Sequence, residues 1–407
     1  MNIVGGNSTF GRMPCIIIAL MIVRFVNGTM NTTAVLEGIF TGYDNRIRPS
    51  CNDDRNSSMV TSDEDPPVRV HVQIYIESID GIKETTMDFS ITMYLRMKWQ
   101  DSRLAFNGNR SLVLAGHGMD VAWLPDVYFV YEKQASQHLV TQANKLLRIY
   151  PNGSLSYSGR FSVTVACNMQ LNKFPMDSQK CTIIISSYAY RTDEVVLYGD
   201  KHSIVTEQGI RISKFKMTNH KVENQDIVYS IGNFSGVRCH FFFRRQVEAF
   251  FLTVYIPTVL LVTIAWLSFW IDAKAAPARV ALGITTVLTV TTMTAGIQNS
   301  LPVVTYAKAI DIWLVVCLMF VFISLLEYGV ANYLIVAEMN SSDSPPGSAA
   351  QDTKQDELDQ RGPQTTRRRK RLTANQLDRY ARWGYPFAFS FFCACYWIFF
   401  LTMDTME

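Results

Sequence analysis

Between Asp272 and Asp311 the chain carries Lys274, Arg279 and Lys308 and no acidic residue. A helix starting near Pro277 and running to about Leu301 places Ala281, Thr285, Leu288, Thr292, Ala295 and Asn299 on one stripe, at alternating spacings of four and three residues. Every member except Leu288 is small, hydroxylic or an amide. Repeated around a symmetry axis, such side chains form a wettable conduit with a single apolar collar at Leu288, where it can close by dewetting. Arg279, next to Pro277 and Ala278, puts positive charge at one mouth. With the positive ends of helix N-termini pointing the same way, it lowers the barrier for anions and raises it for cations. The threonines at 285, 286, 289, 291, 292, 294 and 305 have an alternative use in helix-to-helix hydrogen bonds.

A pore needs a membrane, and the rest of the chain supplies one. The 407 residues are 48% hydrophobic, more than one compact domain requires, and a net charge of +3 gives no general pull toward nucleic acid or an acidic partner. With 12% aromatic and 18% charged residues the chain is not intrinsically disordered, and eight cysteines are too sparse for a disulfide-built miniature. Cys15 to Val23, preceded by Arg12, reads as the apolar core of a secretory signal peptide. Ala249 to Ile271, Val280 to Ala307, Ile312 to Ala337 and Trp383 to Met403 hold only one charged residue, Glu327, and read as four membrane helices. The basic run at 367–371 and the loop around Lys274 belong in the cytoplasm by the positive-inside tendency, so the N-terminal region and the C-terminus are expected outside. The chain therefore divides into a signal peptide (1–28), an extracellular all-β sandwich (29–245), three membrane helices (246–336), a largely disordered cytoplasmic loop (337–382), and the fourth helix with an extracellular C-terminus (383–407).

Within 29–245, VRVHVQIYIESI, MDFSITMYLRMKW, NKLLRIYPNGSLSYSGRFSVTVAC and CTIIISSYAY alternate or are rich in β-branched and aromatic residues, with Pro151-Asn152-Gly153 as a hairpin turn. Thr33 to Phe40 can form a short helix before them. Asn31, Asn56, Asn109, Asn152 and Asn233 each begin a glycosylation sequon. Cys167 and Cys181 enclose NMQLNKFPMDSQK and can close that loop as a disulfide in an oxidising compartment, the alternative being two buried thiols. Phe174 and Pro175 at the loop tip, beside Asp177, form a stiffened apolar knob suited to contacting another surface.

This pattern resembles the Cys-loop family of pentameric ligand-gated ion channels, over nearly everything from about Thr33 except the cytoplasmic loop. Besides FPMD, the likeness is carried by Trp99 with Arg103-Leu104, Trp123-Leu-Pro-Asp126, Pro257, and PAR at Pro277 to Arg279. KETTMDF (83–89), NKLLRI (144–149) and KAIDIW (308–313) narrow the resemblance to the anion-selective branch, closest to glycine receptors and glutamate-gated chloride channels. Cation-selective relatives carry a glutamate where this chain has Ala278.

The resemblance implies an extracellular sandwich and a four-helix bundle, with subunits arranged around a central pore. It places an agonist at the subunit interface. Phe129, Ser187, Tyr188, Tyr229 and Phe234 are expected on one face, where aromatic rings enclose an ammonium group. Arg96 and Ser158 are expected on the other, suited to a carboxylate. It assigns coupling to Asp80, Phe174, Pro175, Asp177, Arg245 and Lys308, above the Leu301 to Lys308 linker. The expected partners are a small-molecule agonist, chloride, the lipid bilayer and further copies in a homopentamer, at the plasma membrane and in a synaptic setting. Cofactors, metals and nucleic acid have no expected part.

Some positions depart from the relatives. Glu77 stands where glutamate-gated channels have a second arginine and is expected to repel a second carboxylate. Ser186 and Ile231 replace polar contacts of glycine receptors, and Cys51 and Cys239 have no assigned partner. Glycine therefore ranks first as agonist, then glutamate, with GABA, an amine or a proton as alternatives. The chain contains no G-x-S-x-G, HExxH or P-loop, and its six histidines lack metal-ligand spacing. An accessory subunit and a membrane-anchored recognition protein remain as competing readings, the latter without need of a threonine-rich, acid-free helix. Leu288→Thr should hydrate the collar and give resting leak or raised agonist sensitivity under voltage clamp. A silent channel with an unchanged dose–response would exclude Leu288 as the gate.

Overall fold

Apolar residues at every second position from Val68 to Ile76 can be buried together only in an extended strand, and the burial pattern alternates accordingly. The computed structural model describes residues 32–50, 66–207, 209–210, 212–272, 275–342 and 374–402. The signal-peptide reading, Cys51, Lys274, most of the cytoplasmic loop with its basic run, and the last residues lie outside the described residues. After helix α1 (Thr32–Phe40) come β1 (Val68–Lys83), β2 (Asp88–Gln100), β3 (Leu112–Ala115), β4 (Val127–Val130), β5 (Glu132–Gln137), β6 (Lys145–Ile149) and β7 (Ser154–Ala166). They are followed by β8 (Ser178–Ser187), β9 (Val195–Tyr198), β10 (Ile204–Thr206), β11 (Phe215–Asn224), β12 (Ile227–Tyr229), β13 (Gly232–Phe234) and β14 (Gly236–Arg245).

These strands form an eight-stranded sheet along β10-β1-β2-β7-β6-β3, with β9 on β1 and β5 on β7, facing a four-stranded sheet in the order β11-β14-β8-β4. The hairpin β12-β13 stands apart. The inward faces meet in an apolar layer in which Phe89 of one sheet packs on Phe241 and Phe243 of the other, with ring centroids 6.2 and 6.3 Å apart. Offset and tilted ring pairs of this kind add to the stabilisation from burial itself. The Cys167–Cys181 disulfide, with Cα atoms 5.2 Å apart, joins the end of β7 to β8 and so fastens one sheet to the other.

β14 leads with almost no connection into the first of the four helices that, among the described residues, are long and apolar enough to cross a membrane: α2 (Glu248–Trp270), α3 (Ala276–Asn299), α4 (Ala309–Ser342) and α5 (Ala374–Thr402). In α2 a wider π turn at Phe251–Tyr255 ends two residues before Pro257, which lacks a backbone donor. Trp313 of α4 is buried at the centre of the bundle, donating its indole N–H to Thr258 Oγ1 at 2.9 Å. Around it, the hydroxyls of Tyr255 and Tyr396 lie 3.0 Å apart, tying α2 to α5.

Several helix limits differ from the sequence expectation, and α4 runs from Ala309 to Ser342 rather than from Ile312 to Ala337. Helix α3 stops at Asn299, short of Ala307, because Pro302 follows and cannot continue it. Helix α5 starts at Ala374, well before Trp383 and inside the segment expected to be disordered. Its first turns are polar and invisible to hydropathy, yet Asp378 there is buried.

Since the disulfide crosses between the sheets, Cys167→Ser should cost roughly 2–5 kcal/mol and chiefly reduce assembly and surface protein. Normal surface labelling of that variant would show that the bridge is dispensable.

Candidate functional site

Arg96 on β2 stands directly opposite Ser158 on β7, and opposite Gln73 on β1. Cross-strand partners share one face of the sheet, so the guanidinium and the hydroxyl are presented together. The guanidinium lies over the ring of Tyr75, 5.1 Å from its centroid. The Tyr75 hydroxyl in turn donates to the Glu207 carboxylate. Beside them is a cavity of about 330 Å³ lined by Tyr94, Leu146, Ser158 and Arg160.

Arg160 was not singled out in the sequence, and it changes the meaning of Glu77. Its Nε and Nη2 donate to the two Glu77 carboxylate oxygens at 2.7 and 2.9 Å. Glu77 falls at a register shift between Ile76 and Ser78, where the bulge re-aims its side chain toward β7. The carboxylate expected to repel an acidic agonist is therefore already paired, a correction to the sequence argument.

On the other sheet, the aromatic residues divide differently from expectation. Phe129 is buried in the core against Phe161, at 6.1 Å. Strand alternation turns its neighbour Tyr128 outward instead. The Tyr128 ring meets Tyr188 edge-on at 5.7 Å, and its hydroxyl lies 3.1 Å from that of Tyr229. Tyr229 packs on Phe234 at 5.7 Å. Tyr188 is 75% exposed and Tyr229 41%, so open ring faces remain, whereas Phe234 is buried behind them. Burial and the Tyr229 hydrogen bond push the Tyr128 phenol up to about 12, leaving it neutral at physiological pH.

Ser187 is also buried, which removes it from direct contact. Its hydroxyl donates to Asp126 Oδ1 at 2.8 Å and accepts from the Tyr190 N–H at 3.2 Å, while Asp126 takes the Ala189 N–H at 2.6 Å. These bonds shape the turn that displays Tyr188. Gly232 closes the β12-β13 turn at a φ of +143°, and a Cβ there would meet Arg191 Nε at 3.0 Å.

Arg245, the last residue of β14, is buried at the junction with the helices. Its Nε and Nη2 donate to Asp177 at 2.7 and 3.1 Å, and Nη1 donates to Glu84. The guanidinium also lies over Phe215 and Phe174, at 4.3 and 4.6 Å. Burial alone would raise the Glu84 carboxyl, but the Arg245 hydrogen bond and charge, with Lys214 nearby, hold it below its ordinary value.

Phe174 packs edge-on against Phe250 of α2 at 5.1 Å, and its carbonyl accepts from Ile310 at the start of α4 at 3.1 Å. Asn172 accepts from Ala309 at 2.9 Å, and Leu171 N–H donates to the Tyr306 hydroxyl at 3.0 Å. Pro175 is buried beside Phe174, and Lys308 is buried with Nζ 3.3 Å from Asp311. Asp80 does not join this group. It sits within β1 at a second register shift, held by Ser78 at 2.7 Å and Thr92 at 3.0 Å. The turn falls later, at 84–87, where Glu84 reaches Arg245.

Along α3, Ala281, Thr285, Leu288, Thr292, Ala295 and Asn299 are all exposed in the protomer, Leu288 at 61%, while Gly283, Thr286 and Val290 face the neighbouring helices. The hydroxyls of Thr285, Thr286, Thr289, Thr291, Thr292 and Thr294 bond to carbonyls of their own helix rather than to other helices. Pro277 and Ala278 are exposed at its start. Arg279 is not. Its guanidinium is buried, donating to Asp378 of α5 at 2.8 and 3.2 Å and to the Ile271 carbonyl. Asp378, distant in sequence and absent from the residues singled out there, supplies the partner that a buried arginine requires.

The neurotransmitter-gated ion-channel ligand binding domain matches residues 32–247, and the neurotransmitter-gated ion-channel transmembrane region matches residues 254–352. A gamma-aminobutyric acid receptor subunit beta of Lymnaea stagnalis is 39% identical over 316 residues, 74% of this chain and 61% of the relative. A gamma-aminobutyric acid receptor subunit rho-2 of Homo sapiens is 42% identical over 292 residues, 70% of this chain and 63% of the relative. The chain thus spans less than two thirds of the length of either.

Removing Arg245 by Arg245→Ala leaves Asp177 and Glu84 buried without their cation, and about 3–5 kcal/mol of stability should go with it. Surface labelling and currents should both fall sharply, and wild-type levels would contradict the geometry. Because Glu84 titrates below its ordinary value of about 4.3 in the fold, the stability it contributes is complete above that pH and is lost as pH falls through the lowered value.

Proposed function

The chain belongs to the family of neurotransmitter-gated ion channels, and from that premise we propose that it is a subunit of an agonist-gated chloride channel, with GABA as the preferred agonist. The family is one of pentameric membrane receptors, not of enzymes. The sandwich is assigned to the extracellular side, with both chain ends outside and the protein at the plasma membrane, in a synaptic setting.

The observation that carries this reading is the separation of two complementary groups. Arg96 and Ser158 sit opposite each other in the eight-stranded sheet, and Tyr128, Tyr188 and Tyr229 cluster on the other sheet and its hairpin. A planar guanidinium with a hydroxyl suits a carboxylate, and open tyrosine faces suit an ammonium. A small zwitterion spanning two neighbouring copies satisfies both, and it contributes only where subunits meet. The names of the two relatives favour a γ-amino acid over glycine, which the sequence ranked first and which stands second here. Pairing of Glu77 with Arg160 removes the objection to acidic agonists in general.

The conduit is assigned to the exposed stripe of α3, with Leu288 as collar. Anion preference comes from the acid-free stretch and the helix N-termini at Pro277 and Ala278, because Arg279 is spent on Asp378. A homopentamer is the assembly we assign, since one chain carries both proposed faces of the site. The Arg245 cluster and the Phe174 loop carry movement of the sandwich to α2 and α4.

Expression in oocytes with GABA, glycine, glutamate and amines applied under voltage clamp tests the reading. GABA should evoke currents whose reversal follows the chloride gradient, and reversal that follows sodium would exclude an anion channel. Arg96→Ala should raise the activating concentration about ten- to a hundred-fold, as expected for the ~1.5–3 kcal/mol of a hydrogen bond to a charged group. Arg96→Lys should restore only part, lacking the planar fork. An undiminished response of Arg96→Ala would shift recognition to the ammonium and the tyrosines.

A further inference from the structure

We propose that Asn233 carries an N-linked glycan that covers the outer face of the β12-β13 hairpin, the element that bears Tyr229 and Phe234. The proposal rests on the extracellular placement of the sandwich, since the modification occurs only on chain that enters the secretory lumen.

The residues Asn233-Phe234-Ser235 form the acceptor sequence. The hairpin register decides which way its first residue points. Ile227 pairs with Phe234, Val228 with Asn233, and Tyr229 with Gly232. Phe234 is buried against Tyr229, so strand alternation sends Asn233 and Val228 to the opposite, outer face, and Asn233 is exposed there. Only its backbone is engaged among the bonds described, its carbonyl accepting from the Thr192 N–H at 3.0 Å and the Thr192 hydroxyl at 3.2 Å. Asn152, by contrast, has its side-chain oxygen committed to the Ser154 N–H at 3.1 Å within a tight turn.

A second feature of the same hairpin points to a cover. Val228 and Ile231 are 76% and 75% exposed, two large aliphatic side chains on a tip of a few residues. Directly paired residues have Cβ atoms about 4.5–5.5 Å apart, so the apolar face of a first sugar on Asn233 falls over Val228. The glycan thus shields apolar surface on the outside of the hairpin and leaves the inner, tyrosine-bearing side clear.

In the folded chain the Ser235 hydroxyl is buried, bonded to the N–H and carbonyl of Leu197, each at 3.0 Å. The transfer must therefore precede pairing of this segment with β9, as the extended chain emerges. The Asn233 side-chain nitrogen forms a bond to the anomeric carbon of a lipid-pyrophosphate-linked oligosaccharide. The bond from that carbon to the pyrophosphate oxygen breaks, the lipid pyrophosphate leaves with its electron pair, and the amide proton passes to a base of the transferase.

The full-length chain, expressed in animal cells and recovered by surface biotinylation, is digested with peptide N-glycosidase in heavy-oxygen water and analysed by mass spectrometry. The peptide spanning residue 233 should appear as the heavy-labelled aspartate product, whereas unmodified Asn233 in the surface pool overturns the proposal. Asn233→Gln should migrate one glycan lighter, and Ser235→Thr, which keeps the acceptor sequence, should not. Identical mobility of Asn233→Gln and the unsubstituted chain also overturns it. Elastase cleavage after Val228, on the covered face, should become several-fold faster once the glycan is removed, and an unchanged rate would exclude the covering. None of these readouts uses an agonist, so an unoccupied Asn233 leaves the channel reading standing, and a glycan found in a chain without current counts only against that reading.

Discussion

A guanidinium buried between two carboxylates and two phenyl rings ties together the base of the sandwich where it meets the membrane bundle. Arg245 ends β14, Asp177 lies in the disulfide-closed loop and Glu84 in the β1-β2 turn, so one side chain joins three segments that are far apart in the chain. A buried charge tolerates little rearrangement, because any motion that separates it from its partners exposes the cost of desolvation. The three segments are thus constrained to move together. Phe174, carried by the same loop, contacts α2 through its ring and α4 through its carbonyl.

The same rule of paired buried charge acts at the other end of the bundle. Arg279 opens the pore-assigned helix, yet its charge turns inward to Asp378 and ties α3 to α5. The stripe assigned to the conduit along α3 is therefore neutral, with Leu288 its one large apolar member and Ile284, 54% exposed, beside it one turn earlier. A neutral stripe wets readily, and field from helix ends acts on it without a fixed side-chain cation in the way. Helix α5 is in this way attached to the one assigned to conduct.

The site proposed in the sandwich follows a different logic, in which one protomer is assigned two half-sites. A sheet presents paired residues on a common face, which is how Arg96 and Ser158 come together from strands of distant sequence. The tyrosines gather instead from β4, the turn after β8 and the separate β12-β13 hairpin.

Composition and period settled much of this in advance. Long apolar runs specify helices that cross a membrane, two-residue alternation specifies the sandwich strands, and the α3 stripe could be drawn because a helix repeats every 3.6 residues whatever surrounds it. Those are local properties, readable wherever a segment is long and regular. The expected pairing of Cys167 with Cys181 likewise needed only a short loop in an oxidising compartment. The tertiary structure decided what depends on distant partners. Alternation within four residues of β4 made Tyr128 rather than Phe129 the outward ring, bulges in β1 sent Glu77 to Arg160 and kept Asp80 from the junction, and Glu84 and Asp378 gained their roles from arginines far along the chain. A charge in a sequence carries no record of its counter-charge, since the energy that fixes the pair arises only when folding removes both from water.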